Sequence, residues 1–210
     1  MIIDIFHDTV CPWCRIGKQN LKLALEQWTG EPAEIHYHTF FLNPSIPEEG
    51  YAFREYMQAK IGGKAPLEQL FDAPRVAGER VGLKFDFEAI TKAPNSTLSH
   101  QLIIITPQAQ REAMIDAIYD AYFEHGQDIG SLDVLIDIAR AQGLDADAIR
   151  AQLEAGEGRA EVLEDAKQAH RLGINGVPFF VFNNRLAFSG AQPINVILDV
   201  LKQSAEITTK

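Results

Sequence analysis

Cysteine is scarce in this chain: its 210 residues include two. Both lie in one tetrapeptide, Cys11-Pro12-Trp13-Cys14. A disulfide closing so short a loop constrains the unfolded chain very little, which argues against a structural staple. Two thiols also fall short of the four ligands that a structural zinc site takes. No block of lysine and arginine tracks a helix face, and the net charge is −10. Nucleic acid and anionic membranes are therefore not expected as partners. No apolar run approaches the roughly 18 residues of a membrane-spanning helix. The segment Met1-Ile2-Ile3-Asp4-Ile5-Phe6 lacks a positive n-region and a long apolar stretch, so it reads as a strand and not as a signal peptide. There is no internal repeat, low-complexity tract or long linker. These absences lead to the expectation of a cytoplasmic protein whose cysteine pair stays mostly as the dithiol.

The apolar fraction of 46% is ordinary for a globular chain, and the length suits one domain or one domain carrying a large insertion. What stands out is the place of the cysteine pair. It follows the strand-like run Ile2–Phe6 and opens a stretch of helical spacing. A Cys-x-x-Cys pair at a helix N-terminus can cycle between dithiol and disulfide. Free backbone N–H groups and the helix dipole there stabilise a thiolate on the first sulfur, which is the reactive species. The first sulfur is expected to be exposed and the second covered by the first helical turn. Two other readings of the pair stay open. A mixed zinc site would borrow His36 and His38, which alternation places on one face of a strand. Alternatively, the pair has no special role.

The hydrophobic pattern predicts a strand over residues 2–7 and a helix from Pro12 to about Trp28, with Ile16, Leu21, Leu25 and Trp28 on one side. Pro12 suits the first helical turn, where a missing N–H costs nothing. A β-prone run, 35–41, follows, so the order suggests a βαβ unit with parallel strands. From Glu48 to about Leu172 the pattern is helical, in segments 49–60, 66–81, 96–105, 107–125, 131–142, 145–154 and 158–172. Thr106 before Pro107, Ser131 and Asp145 are expected caps, and Gly143 and Gly173 expected stops. The stripe Ala113, Met114, Ala117, Ile118, Ala121 and Tyr122 is expected to face a core. Strands return at 178–182 and 185–188 around an Asn183-Asn184 turn, and a last helix starts near Pro193.

That parse resembles the DsbA-like branch of the thioredoxin superfamily, and within it the FrnE-type proteins. Two motifs carry the resemblance, Cys11-Pro12-Trp13-Cys14 and the loop Gly173-Ile174-Asn175-Gly176-Val177-Pro178-Phe179-Phe180-Val181. Ser189-Gly190-Ala191-Gln192-Pro193 and Pro94-Asn95-Ser96-Thr97-Leu98-Ser99-His100 also look like FrnE-type signatures. The resemblance implies an α/β, thioredoxin-like fold (βαβ…ββα) interrupted by a large all-helical insertion. Residues 1–47 and 173–210 would form the thioredoxin-like domain, and 48–172 the insertion. It further implies a cis bond between Val177 and Pro178, beside the cysteines, in a loop that presents backbone groups to an extended substrate.

By the same resemblance the chain would be a thiol–disulfide oxidoreductase. Cys11 would attack, Cys14 would resolve, and Pro178 would complete the catalytic set, with Pro12, Trp13 and Val177 meeting the substrate. Many relatives place an acidic residue six positions before the first cysteine, where this chain has Ile5. Asp4, His7 and Asp8 lie nearby, and His7 is the candidate proton shuttle. Pro12-Trp13 provides no histidine inside the motif. A less stabilised thiolate makes a weaker oxidant, so the reductase or isomerase direction is expected. No metal and no bound cofactor beyond the Cys11–Cys14 disulfide is expected, with glutathione as an optional co-substrate. The partners would be a disulfide-containing protein, a peptide or a small thiol. Two alternatives belong to other classes. One is a glutathione-dependent kappa-class transferase or 2-hydroxychromene-2-carboxylate isomerase, although such enzymes typically carry serine where Cys11 stands. The other is a redox sensor or metal-responsive thiol protein.

Overall fold

A computed structural model describes residues 1–62 and 66–208, with side chains to residue 206. The chain forms two compact units, Met1–Leu42 with Asp165–Lys210, and Asn43–Glu164. These junctions fall several residues before the expected 47/48 and 172/173. One reason lies in the long helix α8 (Arg159–Arg171), whose C-terminal half supplies Ala169 to a core of the first unit.

The first unit is built on a four-stranded sheet. It contains β1 (Ile2–His7), β2 (Glu34–Thr39), β5 (Phe179–Phe182) and β6 (Leu186–Ser189), in the order β2-β1-β5-β6. β1 runs parallel to β2 and antiparallel to β5, with Ile3 opposite Phe182 and Phe6 opposite Phe179. The parallel pair is joined by α1 (Pro12–Gln27), and α9 (Ile194–Thr208) follows β6. Alternation along β1 divides its side chains between two cores. Ile3 and Ile5 pack with Leu21 and Ala24 of α1, Phe180, Phe182, and Ile197 and Leu201 of α9. Phe6 packs on the other side with Phe40, Ala169 and Ile174. The tight β5–β6 turn uses Asn183 and Asn184 at φ 49° and 53°. Both central residues with positive φ give the turn a twist that matches the strands it joins.

The second unit holds β3 (Tyr51–Ala52), α2 (Phe53–Ile61), α3 (Leu67–Glu79), β4 (Lys92–Ala93), α4 (Thr97–Ile105), α5 (Gln108–Phe123), α6 (Leu132–Ala141) and α7 (Ala146–Glu154). The helical insertion thus also carries a two-residue ribbon, β3 with β4. The first helix of the insertion starts at Phe53, not near residue 49, because Tyr51 and Ala52 pair with Ala93 and Lys92. The core includes stacked rings, with Phe71 4.6 Å from Phe87 and 5.6 Å from Phe53. On α5 the buried face is Met114, Ile115, Ile118, Tyr119, Ala121, Tyr122 and Phe123. Ala113, expected in that stripe, is exposed.

The helix ends are mixed. Asp145 caps α7, accepting from Asp147 N and Ala148 N at 3.1 Å each. Ser131 precedes α6 without a side-chain cap. Pro107 stands before α5 rather than inside it, and Thr106 closes α4, its Oγ1 donating to Leu102 O at 2.7 Å. Gly173, at φ 76°, ends α8, with Ile174 N donating back to Ala169 O at 3.0 Å. That left-handed stop redirects the chain into the segment 174–178, which carries one side of the site described next.

Candidate functional site at the Cys11–Cys14 turn

β1 ends at His7, and the chain turns before α1 begins. The turn is closed by Cys11 N donating to Asp8 O at 3.1 Å. Cys11 is the N-cap of α1, with extended φ and ψ of −97° and 111°, and Pro12 opens the helix. Its carbonyl accepts from Cys14 N at 3.1 Å and Arg15 N at 3.3 Å. This is the local form expected of Cys-x-x-Cys with proline in the first turn. Trp13 projects outward, 38% exposed.

Both cysteines are unbridged thiols. Cys14 is 1% exposed, and Cys11 is only 3% exposed. The expectation of an exposed first sulfur is therefore corrected. Opposite the Cys11 sulfur stands the backbone of Val177, whose carbonyl is 3.7 Å from Sγ. The Val177–Pro178 bond is cis. Gly17, one helical turn after Trp13, makes this packing fit. A Cβ there would lie 2.9 Å from Pro178 Cγ and 3.1 Å from Phe180 Cζ. Sequence reasoning did not single out Gly17; a glycine inside the helix expected from Pro12 to about Trp28 is the available signal.

The Cys14 thiol is pushed well above the usual range. Burial is the largest cause, followed by its hydrogen bond to Cys11 and the charge of Cys11. The Asp8 backbone N–H bonds to the Cys14 sulfur and works the other way, while the Asp8 charge adds to the rise. The thiolate form is thus disfavoured at Cys14.

The candidate shuttle His7 is buried, and its ring meets Tyr37 edge-on at 5.6 Å. Asp8, itself 1% exposed, is the acidic group whose charge acts on Cys14. His36 and His38 do not join the cysteines in a zinc site. His38 lies between Asp165 Oδ1 and Asp4 Oδ1, each at 2.9 Å, and stacks on Phe6 at 4.7 Å. His36 turns to Glu34 at 3.0 Å and Asp4 at 3.4 Å. Burial opposes charge on His38, but hydrogen bonds to Asp165 and Asp4 outweigh it and raise its pKa to about 9. Asp4 is lowered, chiefly by its hydrogen bond from His38. Among the described residues no group of three or more His, Cys, Asp or Glu side chains is placed to hold a metal ion. Among them, too, no helix is long and apolar enough to cross a membrane.

Comparison with known proteins follows the same lines as the geometry. The family model described as a DSBA-like thioredoxin domain matches residues 2–202. A probable DsbA oxidoreductase from Streptomyces coelicolor is 28% identical, with a TM-score of 0.88, over 98% of this chain and 90% of that one. A 2-hydroxychromene-2-carboxylate isomerase shares the fold at 15% identity and a TM-score of 0.73, over 100% of this chain and 98% of that one. The cytosolic disulfide reductase DsbM from Pseudomonas aeruginosa, solved with GSH, does so at 19% identity and a TM-score of 0.67, over 98% of this chain and 100% of that one.

Proposed function

The chain belongs to the DSBA-like thioredoxin domain family, and from that premise we propose that it reduces or isomerises disulfides through Cys11 and Cys14. The observation that carries this reading is the inequality of the two sulfurs. Cys11 caps α1, where backbone N–H groups converge, whereas the Cys14 thiol is held protonated under the first turn.

The Cys11 thiolate attacks one sulfur of a substrate disulfide. The substrate S–S bond breaks, its leaving sulfur takes up a proton, and a mixed disulfide joins Cys11 to the substrate. Cys14 then loses its proton and attacks the Cys11 sulfur, releasing the second substrate thiol. The dithiol is oxidised by two electrons and the substrate disulfide reduced by two. Two molecules of a small thiol such as glutathione return the pair to the dithiol and leave as glutathione disulfide. A disulfide reductase of the same fold, solved with GSH, supports that choice of reductant. Pro12 and Trp13 bring no cationic side chain to the motif, which favours the reducing or isomerising direction over dedicated oxidation. A reducing, cytoplasmic setting suits that direction.

The substrate enters as an extended segment along Val177, whose backbone stands beside the Cys11 sulfur. Pro178 has no N–H and does not extend a ladder there. Exposed Trp13 offers a ring for the substrate side chains nearby. The sulfur pair, unlike a serine, suits exchange more than glutathione-dependent isomerisation.

Turnover of insulin disulfides with glutathione as electron donor tests the reading. Cys11→Ser should abolish it. Cys14→Ala should stop turnover and accumulate a mixed disulfide on Cys11. Full activity in either variant, or no turnover by the parent protein with any disulfide tried, would overturn it.

A further inference from the structure

The turn Ser189-Gly190-Ala191-Gln192, between β6 and α9, takes no part in the mechanism above, yet it is tied to both sides of the site. Gly190, at φ 84°, donates its N–H to Pro178 O at 2.8 Å. Pro178 has no N–H, so its carbonyl is the one backbone group through which it can be fastened. The turn braces itself, with Gln192 N donating to Gly190 O at 3.0 Å and Gln192 Nε2 to Ser189 O at 2.9 Å. The Gln192 carbonyl in turn accepts from Asn20 Nδ2 of α1 at 2.9 Å. Asn20 is 6% exposed. Among the described residues its Oδ1 has no hydrogen-bond partner, so the amide serves as a donor only. It stands about one helical turn after Gly17, on the face of α1 that meets Pro178. These contacts close a ring. It runs from Cys11 along α1 to Asn20, through Gln192, Gly190 and Pro178, and back to Cys11 at the Val177 carbonyl, 3.7 Å from Sγ. Cys11 is 3% exposed beside that carbonyl, so the edge must yield before the sulfur meets a disulfide.

We propose that Asn20 is a positioning residue: it fastens the Ser189–Gln192 turn to α1, and the turn holds the Val177–Pro178 edge against the Cys11 sulfur, which sets how readily that sulfur is uncovered for attack. The inference rests on the disulfide-exchange reading. A part-buried carbonyl deprived of its donor loses about one net hydrogen bond, which corresponds to about a fivefold rise in the population of the opened edge. Asn20→Ala removes that donor and no backbone group.

The test uses no disulfide substrate, so it is readable whether or not the exchange reading holds. In a Cys14→Ala protein Cys11 is the only thiol. Its alkylation by iodoacetamide is followed at a pH where the rate no longer rises, so that the rate reports access to the sulfur. Asn20→Ala should raise this plateau about fivefold. Hydrogen exchange followed by NMR should show the Gly190 amide exchanging faster by the same factor, because both measurements report one opening. The amide of Asn183, which donates to Ile2 O at 2.9 Å at the far end of the same hairpin, should exchange as before. A merely structural role would speed all three together through lower stability. An unmoved plateau, an unmoved Gly190 rate, or a rise at Asn183 equal to that at Gly190 in folded protein overturns the proposal. Should Asn20→Ala fail to fold, Asn20→Leu, which keeps a branched side chain without a donor, is read against the same limits, and failure of both to fold overturns the proposal.

Discussion

Replacing His38 by glutamine removes the cation from the Asp4–His38–Asp165 cluster and gives stability a measurable pH signature. In the folded chain His38 titrates at about 9 against an ordinary 6.5. That gap of about 2.5 pH units corresponds to about 3 kcal/mol at 1.36 kcal/mol per unit. The His38 side chain keeps 29% exposure, so solvent screening reduces the figure to about 2 kcal/mol. Because the folded pKa is raised, this stabilisation is complete below about pH 6.5 and is lost as pH rises through about 9. On the acid side the same pairing appears as the lowered pKa of Asp4. It is present above the ordinary 3.8 and is lost as pH falls through the lowered value. Both tryptophans, Trp13 and Trp28, belong to the first unit, so their fluorescence in urea follows that unit. The parent protein should lose about 2 kcal/mol more than His38→Gln between about pH 6 and pH 10. The variant also forfeits the ring stack on Phe6, but that loss is the same at both pH values and cancels in the difference. Parallel stability profiles for the two proteins would refute the reasoning.

Gly17→Ala pushes a methyl to within 2.9 Å of Pro178 Cγ and 3.1 Å of the Phe180 ring. It should cost about 1–3 kcal/mol by overpacking and slow disulfide exchange, measured by urea titration and insulin turnover. Asn184→Val forces a β-branched residue to φ 53°. A loss of about 1–2 kcal/mol in the same titration is expected, whereas Asn184→Gly should not destabilise. Asp145→Ala deletes the acceptor for two N–H groups at the start of α7. It should lower the stability of the second unit by about 1 kcal/mol, read by circular dichroism at the helix band, and leave insulin turnover unchanged.

The sheet and both chain ends were readable because their pattern is local. Ile2–Phe6 before Cys11, the β-prone run after residue 34, and Asn183-Asn184 between two short apolar runs each carry their own signal. The two-residue strands Tyr51–Ala52 and Lys92–Ala93 were not readable, since neither has a period and about forty residues of chain, α2 and α3 among them, separate the two. At the site, the motif located the sulfurs but not their cover. Cys11 is shielded beside Val177, from the far end of the chain, and no spacing rule foretells a carbonyl 3.7 Å away. Asp8 was visible as one acid among several near the motif. Its burial, and the amides of Val10 and Leu42 that compensate it, belong to tertiary structure. The same holds for His38: an H-x-H pair on a strand suggests metal as readily as an ion pair until Asp165 arrives from α8.

The pairing of Ile3 with Phe182 carries a consequence for biosynthesis. The parallel strands and the cysteine helix are complete by Thr39, yet the central partner strand begins at Phe179. At about 5–20 residues per second, a ribosome takes roughly 7–30 s to cover that interval. Throughout it, the edge of β1 destined for β5 has no partner from its own sheet, and the carbonyl that will face the Cys11 sulfur has not been made. The intervening segment Asn43–Glu164 contains all of its own compact unit and is made before the rest of the first unit is finished. The nascent cysteines are therefore made well before the fold that distinguishes them, and their inequality is acquired only as the last forty or so residues are synthesised.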